Sequence, residues 1–97
     1  MRPGNSPCRV DATHGQIRDA LRAVGAAVQS LAEVGNGCPD LLVCHRGRIV
    51  AIEVKTPAGK VSDLQTEWHL WWRAHGGAVA VVRSVEEALA AVGVMAR

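Results

Sequence analysis

Two short runs in the middle of the chain, Asp40-Leu41-Leu42-Val43-Cys44 and Ile49-Val50-Ala51-Ile52-Glu53-Val54, are apolar, rich in β-branched residues and too short for helices. His45-Arg46-Gly47-Arg48 between them carries the turn signal, so the pair predicts one β-hairpin. With Arg46-Gly47 as the central turn residues, His45 falls opposite Arg48, Cys44 opposite Ile49, and Asp40 opposite Glu53. A four-residue loop over 45–48 keeps the same register.

The rest of the pattern is helical on either side. Ile17, Leu21 and Val24 form an apolar stripe that predicts a helix over about 14–24, capped by Asp11 or by Thr13 with Gln16, and stopped at Gly25. Ala26 to Leu31 is a weakly marked strand, and Gly35-Asn36-Gly37 permits a reversal into the hairpin. Pro39 has no N–H to give a ladder, which suits the start of a strand. Ser62 with Gln65 caps a second long helix on which Leu64, Trp68 and Trp71 fall at i, i+4 and i+7, the spacing of a core stripe. Trp72 sits on the shoulder of that stripe, and an exposed Trp72 would suit a dimer contact or stacking on a base. His69 and His75 lack the spacing of a helical metal pair and are expected at the surface or the helix end.

Gly76-Gly77 ends this helix, Ala78 to Val82 is a buried strand, and Ser84 with Glu87 caps a last helix closed by Gly93. A strand, helix, strand order after Lys55 implies a parallel pair. The expected fold class is therefore α/β: an αβββαβ core with one mixed sheet flanked by helices. Residues 1–10, which contain two Pro, a Gly, an Asn and a Ser, are expected as a disordered arm, with one domain over 11–97.

Composition narrows this picture. With 97 residues the chain is one domain near the small end of what buries a core unaided, so dimerisation would help it. Its core must be built from Val, Leu, Ala and Ile with three Trp, because Phe and Tyr are absent. A formal charge of +2 is too small to mark a nucleic-acid binder by itself, so local distribution has to decide. The three cysteines form no CxxC pair, and no stretch is apolar enough to span a membrane, which suggests a cytoplasmic setting. Cys38, Cys44 and His45 lack recognised zinc spacing, and the two cysteines are expected as small buried hydrophobes.

The candidate chemistry lies on the hairpin. Directly opposed residues of an antiparallel pair share a face with Cβ atoms roughly 5 Å apart, so Asp40 and Glu53 should point into one volume, with Lys55 two residues on. Opposed like charges are destabilising, and a carboxylate in a central apolar strand is costly unless paired. Ordinary charged residues at strand ends, with Lys55 merely pairing Glu53, are the alternative to a functional reading of both tensions. A hard divalent cation would relieve them, held by the carboxylates, water and a substrate phosphate.

Pro39-Asp40 followed by Glu53-Val54-Lys55 resembles the PD-(D/E)xK nuclease signature. More narrowly, about Gly35 to Val92 is similar to the virus-type replication and repair nuclease (VRR-NUC) domain, through Gly37-Cys38-Pro39-Asp40-Leu41-Leu42-Val43, Glu53-Val54-Lys55, the loop Thr56-Pro57-Ala58-Gly59-Lys60, Asp63-Leu64-Gln65 and Ala80-Val81-Val82. The resemblance implies a restriction-endonuclease-like fold and a metal-dependent DNA endonuclease, selective for branched or four-way-junction DNA or else general or nicking. A bacterial, phage or mobile-element setting would suit it.

It implies Mg²⁺ or Mn²⁺ held by Asp40, Glu53 and the Val54 carbonyl, Lys55 positioning the attacking water, and Gln65 beside the site. Arg46, Arg48 and Lys60 are the expected phosphate contacts, and DNA and a second copy of the chain the expected partners, with no small-molecule cofactor. Related domains often carry an acidic residue on the first helix. Gln16 stands at the position aligned with it here, which keeps a catalytically vestigial DNA-binding module open as the alternative.

Overall fold

A computed structural model describes residues 8–94, with side chains from Thr13 onward. Three helices, α1 (Cys8–Ala23), α2 (Asp63–Ala74) and α3 (Val85–Ala91), surround four strands, β1 (Ala27–Ser30), β2 (Leu41–His45), β3 (Arg48–Val54) and β4 (Val79–Val82). The strands form one sheet in the order β1-β2-β3-β4. β1, β2 and β3 pair antiparallel, while β4, which returns after α2, lies parallel to β3. Most of the arm expected over 1–10 lies outside the described residues, but Cys8 to Val10 already belong to α1. Among the described residues, no helix is long and apolar enough to cross a membrane.

The hairpin forms in the register its sequence predicts. Cys44 pairs with Ile49 and His45 with Arg48, leaving Arg46-Gly47 as the turn, both with positive φ (52° and 82°). That conformation follows the strand twist and is the reason two-residue hairpin loops favour it. Counting down the ladder, Leu41 pairs with Ile52, so Asp40 stands opposite Glu53 just beyond the last paired residues.

Alternation along β3 sorts the molecule into two layers. Val50, Ile52 and Val54 face the α1/α3 side and pack with Ile17, Leu21, Val43, Val82, Ala88 and Val92 into the buried core. Ala51 and Glu53 face α2. The helix presents to that side not the apolar stripe of Leu64, Trp68 and Trp71, but a face running through Gln65 and His69 to Trp72. Leu64 and Trp71 are 52% and 55% exposed, whereas His69 is 4% exposed, which reverses the expectation for all three. The buried carboxyl of Glu53 demands polar neighbours, and Gln65 and His69 supply them.

Polar contacts hold the far end of α2. The Trp72 indole N–H donates to the Ala78 carbonyl at 3.0 Å and Arg73 donates to the Val79 carbonyl at 3.0 Å. Trp68 stacks on Trp72 with centroids 4.9 Å apart.

Candidate active site

Asp40 reaches its place because Pro39, itself buried, ends the β1–β2 connection at the mouth of the hairpin. One oxygen of its carboxyl group, Oδ2, accepts the Val54 N–H at 2.8 Å, closing the ladder where β2 has run out of backbone. The N–H and C=O of one strand residue leave on the same edge, so the Val54 carbonyl also faces the Asp40 side. Gly37 is required nearby for a separate reason. Its φ is +83°, and a Cβ there would collide with the Leu64 carbonyl where α2 begins.

Glu53 is 2% exposed. Its Oε2 accepts from Gln65 Nε2 at 3.2 Å and lies 4.0 Å from Lys55 Nζ, while Oε1 faces His69 Nε2 at 3.8 Å. Neither Oε1 nor His69 Nε2 has a hydrogen-bond partner, although both are fully buried. Burial, then the adjacent charge of Asp40 and a hydrogen bond with its carboxyl, push Glu53 up to about 8, and Lys55 opposes this only in part. A lysine 4.0 Å away therefore does not act as a satisfied ion-pair partner. Burial lowers His69, helped by Arg73 and Lys55, and raises the Cys38 thiol, helped by the charges of Glu53 and Asp40.

Asp40, Glu53, Val54, Lys55 and Gln65 line one open pocket of about 310 Å³, together with His14, Thr56 and Gly59. Gln65 serves two purposes at once. Its Oε1 accepts the Ser62 N–H at 2.9 Å, completing the capping box, and its Nε2 holds Glu53.

The loop after Lys55 is pinned by Arg83, whose guanidinium donates to the carbonyls of Thr56 at 2.7 Å and Gly59 at 2.6 Å. Lys60 is exposed at its end, outside the pocket lining. Arg46 and Arg48 are not brought to this site. Arg48 stands five positions before Glu53, about 17 Å along a strand, so both arginines lie at the opposite end of the hairpin.

Three residues were missed or misplaced by the sequence pattern. From α1 it is His14, not Gln16, that reaches the pocket; Gln16 is exposed, and His14 lies one turn before Ile17 on the buried stripe. His69 was legible from Gln65, since a residue one helical turn on from a site residue covers the same strip of sheet. Cys44 is exposed rather than buried. It points to the α2 face and His45 to the other, so Cys38, Cys44 and His45 do not converge.

Two opposed carboxyls, one of them buried with an oxygen lacking a donor, suit a divalent cation that takes one or two carboxylates and keeps water and substrate oxygens as its other ligands. Among the described residues, no group of three or more His, Cys, Asp or Glu side chains is placed to hold a metal alone. The donors present fit a hard ion completed by substrate, not a closed zinc site.

Fold and site together describe a small α/β domain with a paired-carboxylate and lysine centre at the end of its central strands. A family model for the VRR-NUC domain matches residues 5–86. A solved structure titled "VRR_NUC domain" is similar at 32% identity and a TM-score of 0.64, over 78% of this chain and 89% of that one. No curated protein matches. The chain belongs to the VRR-NUC family, which brings with it a nuclease-type function acting on DNA.

Proposed function

We propose that the chain is a divalent-metal-dependent endonuclease hydrolysing phosphodiester bonds in DNA, with a preference for branched DNA. The observation that carries this reading is the buried Glu53 carboxyl set across the ladder from Asp40 with Lys55 beside it. Asp40, Glu53 and the Val54 carbonyl would hold Mg²⁺ or Mn²⁺, which lowers the pKa of a water and neutralises charge on the phosphoryl group. Lys55, half-buried on the same face, places a cation where charge develops on the phosphoryl oxygens and orients the attacking water. Gln65 holds the Glu53 carboxyl toward the pocket, and Arg83 fixes the wall formed by Thr56 and Gly59.

Base reading needs an element that enters the major groove, and every helix here is committed to the sheet. Recognition by shape and phosphates follows. A second copy of the chain is the proposed partner. Leu42, Cys44 and Ile49 share the face beyond the reach of α2, where Ile49 is 58% exposed and a groove of about 270 Å³ runs to Ala27 and Gln29 of the edge strand. Light scattering should return a dimer mass, and a monomer at all micromolar concentrations would remove the pairing.

The deciding assay compares a four-way junction, a flap, a single strand and a linear duplex with Mg²⁺ or Mn²⁺, using Glu53→Gln as the inactive control. Lys55→Ala should retain metal binding by calorimetry and lose at least about a hundredfold in cleavage, whereas Asp40→Ala should lose both. Equal cutting of all four substrates would make the enzyme a general nuclease. The two-carboxylate donor set favours one rival, a DNA-binding module without chemistry; tight binding with no metal-dependent cutting would establish it.

A further inference from the structure

A second cavity lies away from the carboxylates. About 460 Å³ in volume, it lies under the hairpin tip, where Val24 at the end of α1 and Val92 to Val94 at the end of α3 meet His45, Arg46 and Arg48. His45 and Arg48 are opposed residues of the ladder and so share the face that looks into it.

Four observations converge on this pocket. It is lined by three basic side chains and by no acidic residue. Neither the His45 ring nor the Arg46 and Arg48 guanidinium groups make a hydrogen bond or ion pair to any described residue. The helix ends do not hydrogen-bond these side chains either. The carbonyls of Ala20, Leu21, Arg22, Leu89 and Ala90 all accept backbone N–H groups from the residues that close α1 and α3. Finally, Arg46 holds φ +52°, a conformation in which a two-residue hairpin turn prefers Gly, Asn or Asp. A strained residue kept at such a position points to a use for its side chain.

We propose that this pocket is a second phosphate-binding site, with Arg46 and Arg48 as charge-assisted donors and the His45 ring beside them. Arginine's fixed fork suits phosphate oxygens, and a walled cavity weakens screening of the contact. The site is about 17 Å from the carboxylates along the strands, or some five base-pair steps of straight duplex at about 3.4 Å each. It therefore holds a phosphate remote from the bond to be cut, about half a helical turn along a duplex or on another arm of the nucleic acid. The identity of that phosphate as nucleic acid rests on the proposed function; the pocket's anion chemistry does not.

The test uses the full chain in the Glu53→Gln background, so that binding is measured whether or not the parent cuts. Fluorescence anisotropy with four-way-junction and duplex DNA over a salt series is the readout. Arg46→Gly removes the guanidinium and relieves the turn, so it should raise the melting temperature while weakening DNA binding several-fold. It should also flatten the slope of log K against log salt by about one, and adding Arg48→Gln should flatten it by about one more.

Weaker, less salt-sensitive binding in a better-folded protein supports the site, even if the wild type proves to cut nothing. Unchanged affinity and slope in the double variant would overturn it. Protection from heat by inorganic phosphate in the parent alone, with DNA binding equal in both, would uphold the anion site and overturn its assignment to nucleic acid, because the occupant would then be free phosphate.

Discussion

Replacing Glu53 with Gln should stabilise the metal-free protein, and only above a defined pH. The folded protein holds this proton up to about pH 8, whereas the ordinary carboxyl value is 4.5. Between those values the folded chain retains a proton that the unfolded chain has released. Unfolding then releases protons, so stability falls as pH rises through the window and levels off above it. Below about 4.5 both states are protonated and Glu53 contributes no penalty.

At about 1.36 kcal/mol per unit, the shift sets a ceiling of about 5 kcal/mol. Local relaxation and water entry bring real penalties below such ceilings, so a loss of a few kcal/mol is expected. Set against a typical total of about 5–15 kcal/mol for a domain, that is a large fraction. The glutamine introduced by Glu53→Gln keeps the shape and still offers an oxygen to Gln65, so that variant should lack the Glu53-linked fall in stability over the same window. Urea denaturation from pH 5 to 9 in chelator should give curves that start together and diverge by a few kcal/mol at the alkaline end. Adding Mg²⁺ at pH 8.5 should bring the wild type back toward the variant and leave the variant unmoved. Parallel curves over the whole range would mean that Glu53 titrates normally and that the pair is under no electrostatic strain.

Gly37→Ala should lower stability by about 1–3 kcal/mol, since a Cβ at φ +83° strains the backbone and collides with the Leu64 carbonyl; an unchanged melting temperature would refute that packing. Arg83→Ala should free the carbonyls of Thr56 and Gly59, so amide exchange over 56–59 should quicken and cleavage should slow more than substrate binding weakens. A variant with unaltered exchange in that loop would remove Arg83 from the positioning of the site.

The hairpin was legible because two kinds of information coincide there. A two-residue turn sets the register, and β alternation then places Asp40, Glu53 and Lys55 on one face without any knowledge of what packs against it. The same counting places Arg46 and Arg48, the expected phosphate contacts, at the far end of the strands, the length of β3 away from the carboxylates. Helix α2 was harder. Periodicity identifies an amphipathic helix but assumes that its apolar stripe is the buried one. Here the sheet offers a carboxyl at the contact, so the face with Gln65 and His69 turns inward and Leu64 and Trp71 remain outside.

That rotation links the site to the way α2 is attached. The helix meets the sheet through Gln65 on Glu53, Trp72 on the Ala78 carbonyl and Arg73 on the Val79 carbonyl, while the main core of aliphatic side chains lies on the other face. Of these contacts only the first depends on a titrating group. If a cation displaced the Glu53 proton to solvent, Oε1 would be an acceptor without a donor, and His69 Nε2, at 3.8 Å, would be near enough to close on it with a small movement of one helical turn. Trp72 and Arg73 anchor the C-terminal half of α2, so the adjustment is confined to the turns carrying Gln65 and His69. Metal occupancy should therefore alter the environment of Trp68, which touches His69 edge-on at 6.4 Å, while leaving Trp72 hydrogen-bonded. Indole N–H resonances followed through an Mg²⁺ titration should show Trp68 moving further than Trp72, on which it stacks. Equal shifts in both would mean that the helix moves as a rigid unit and that its polar anchors do not divide it.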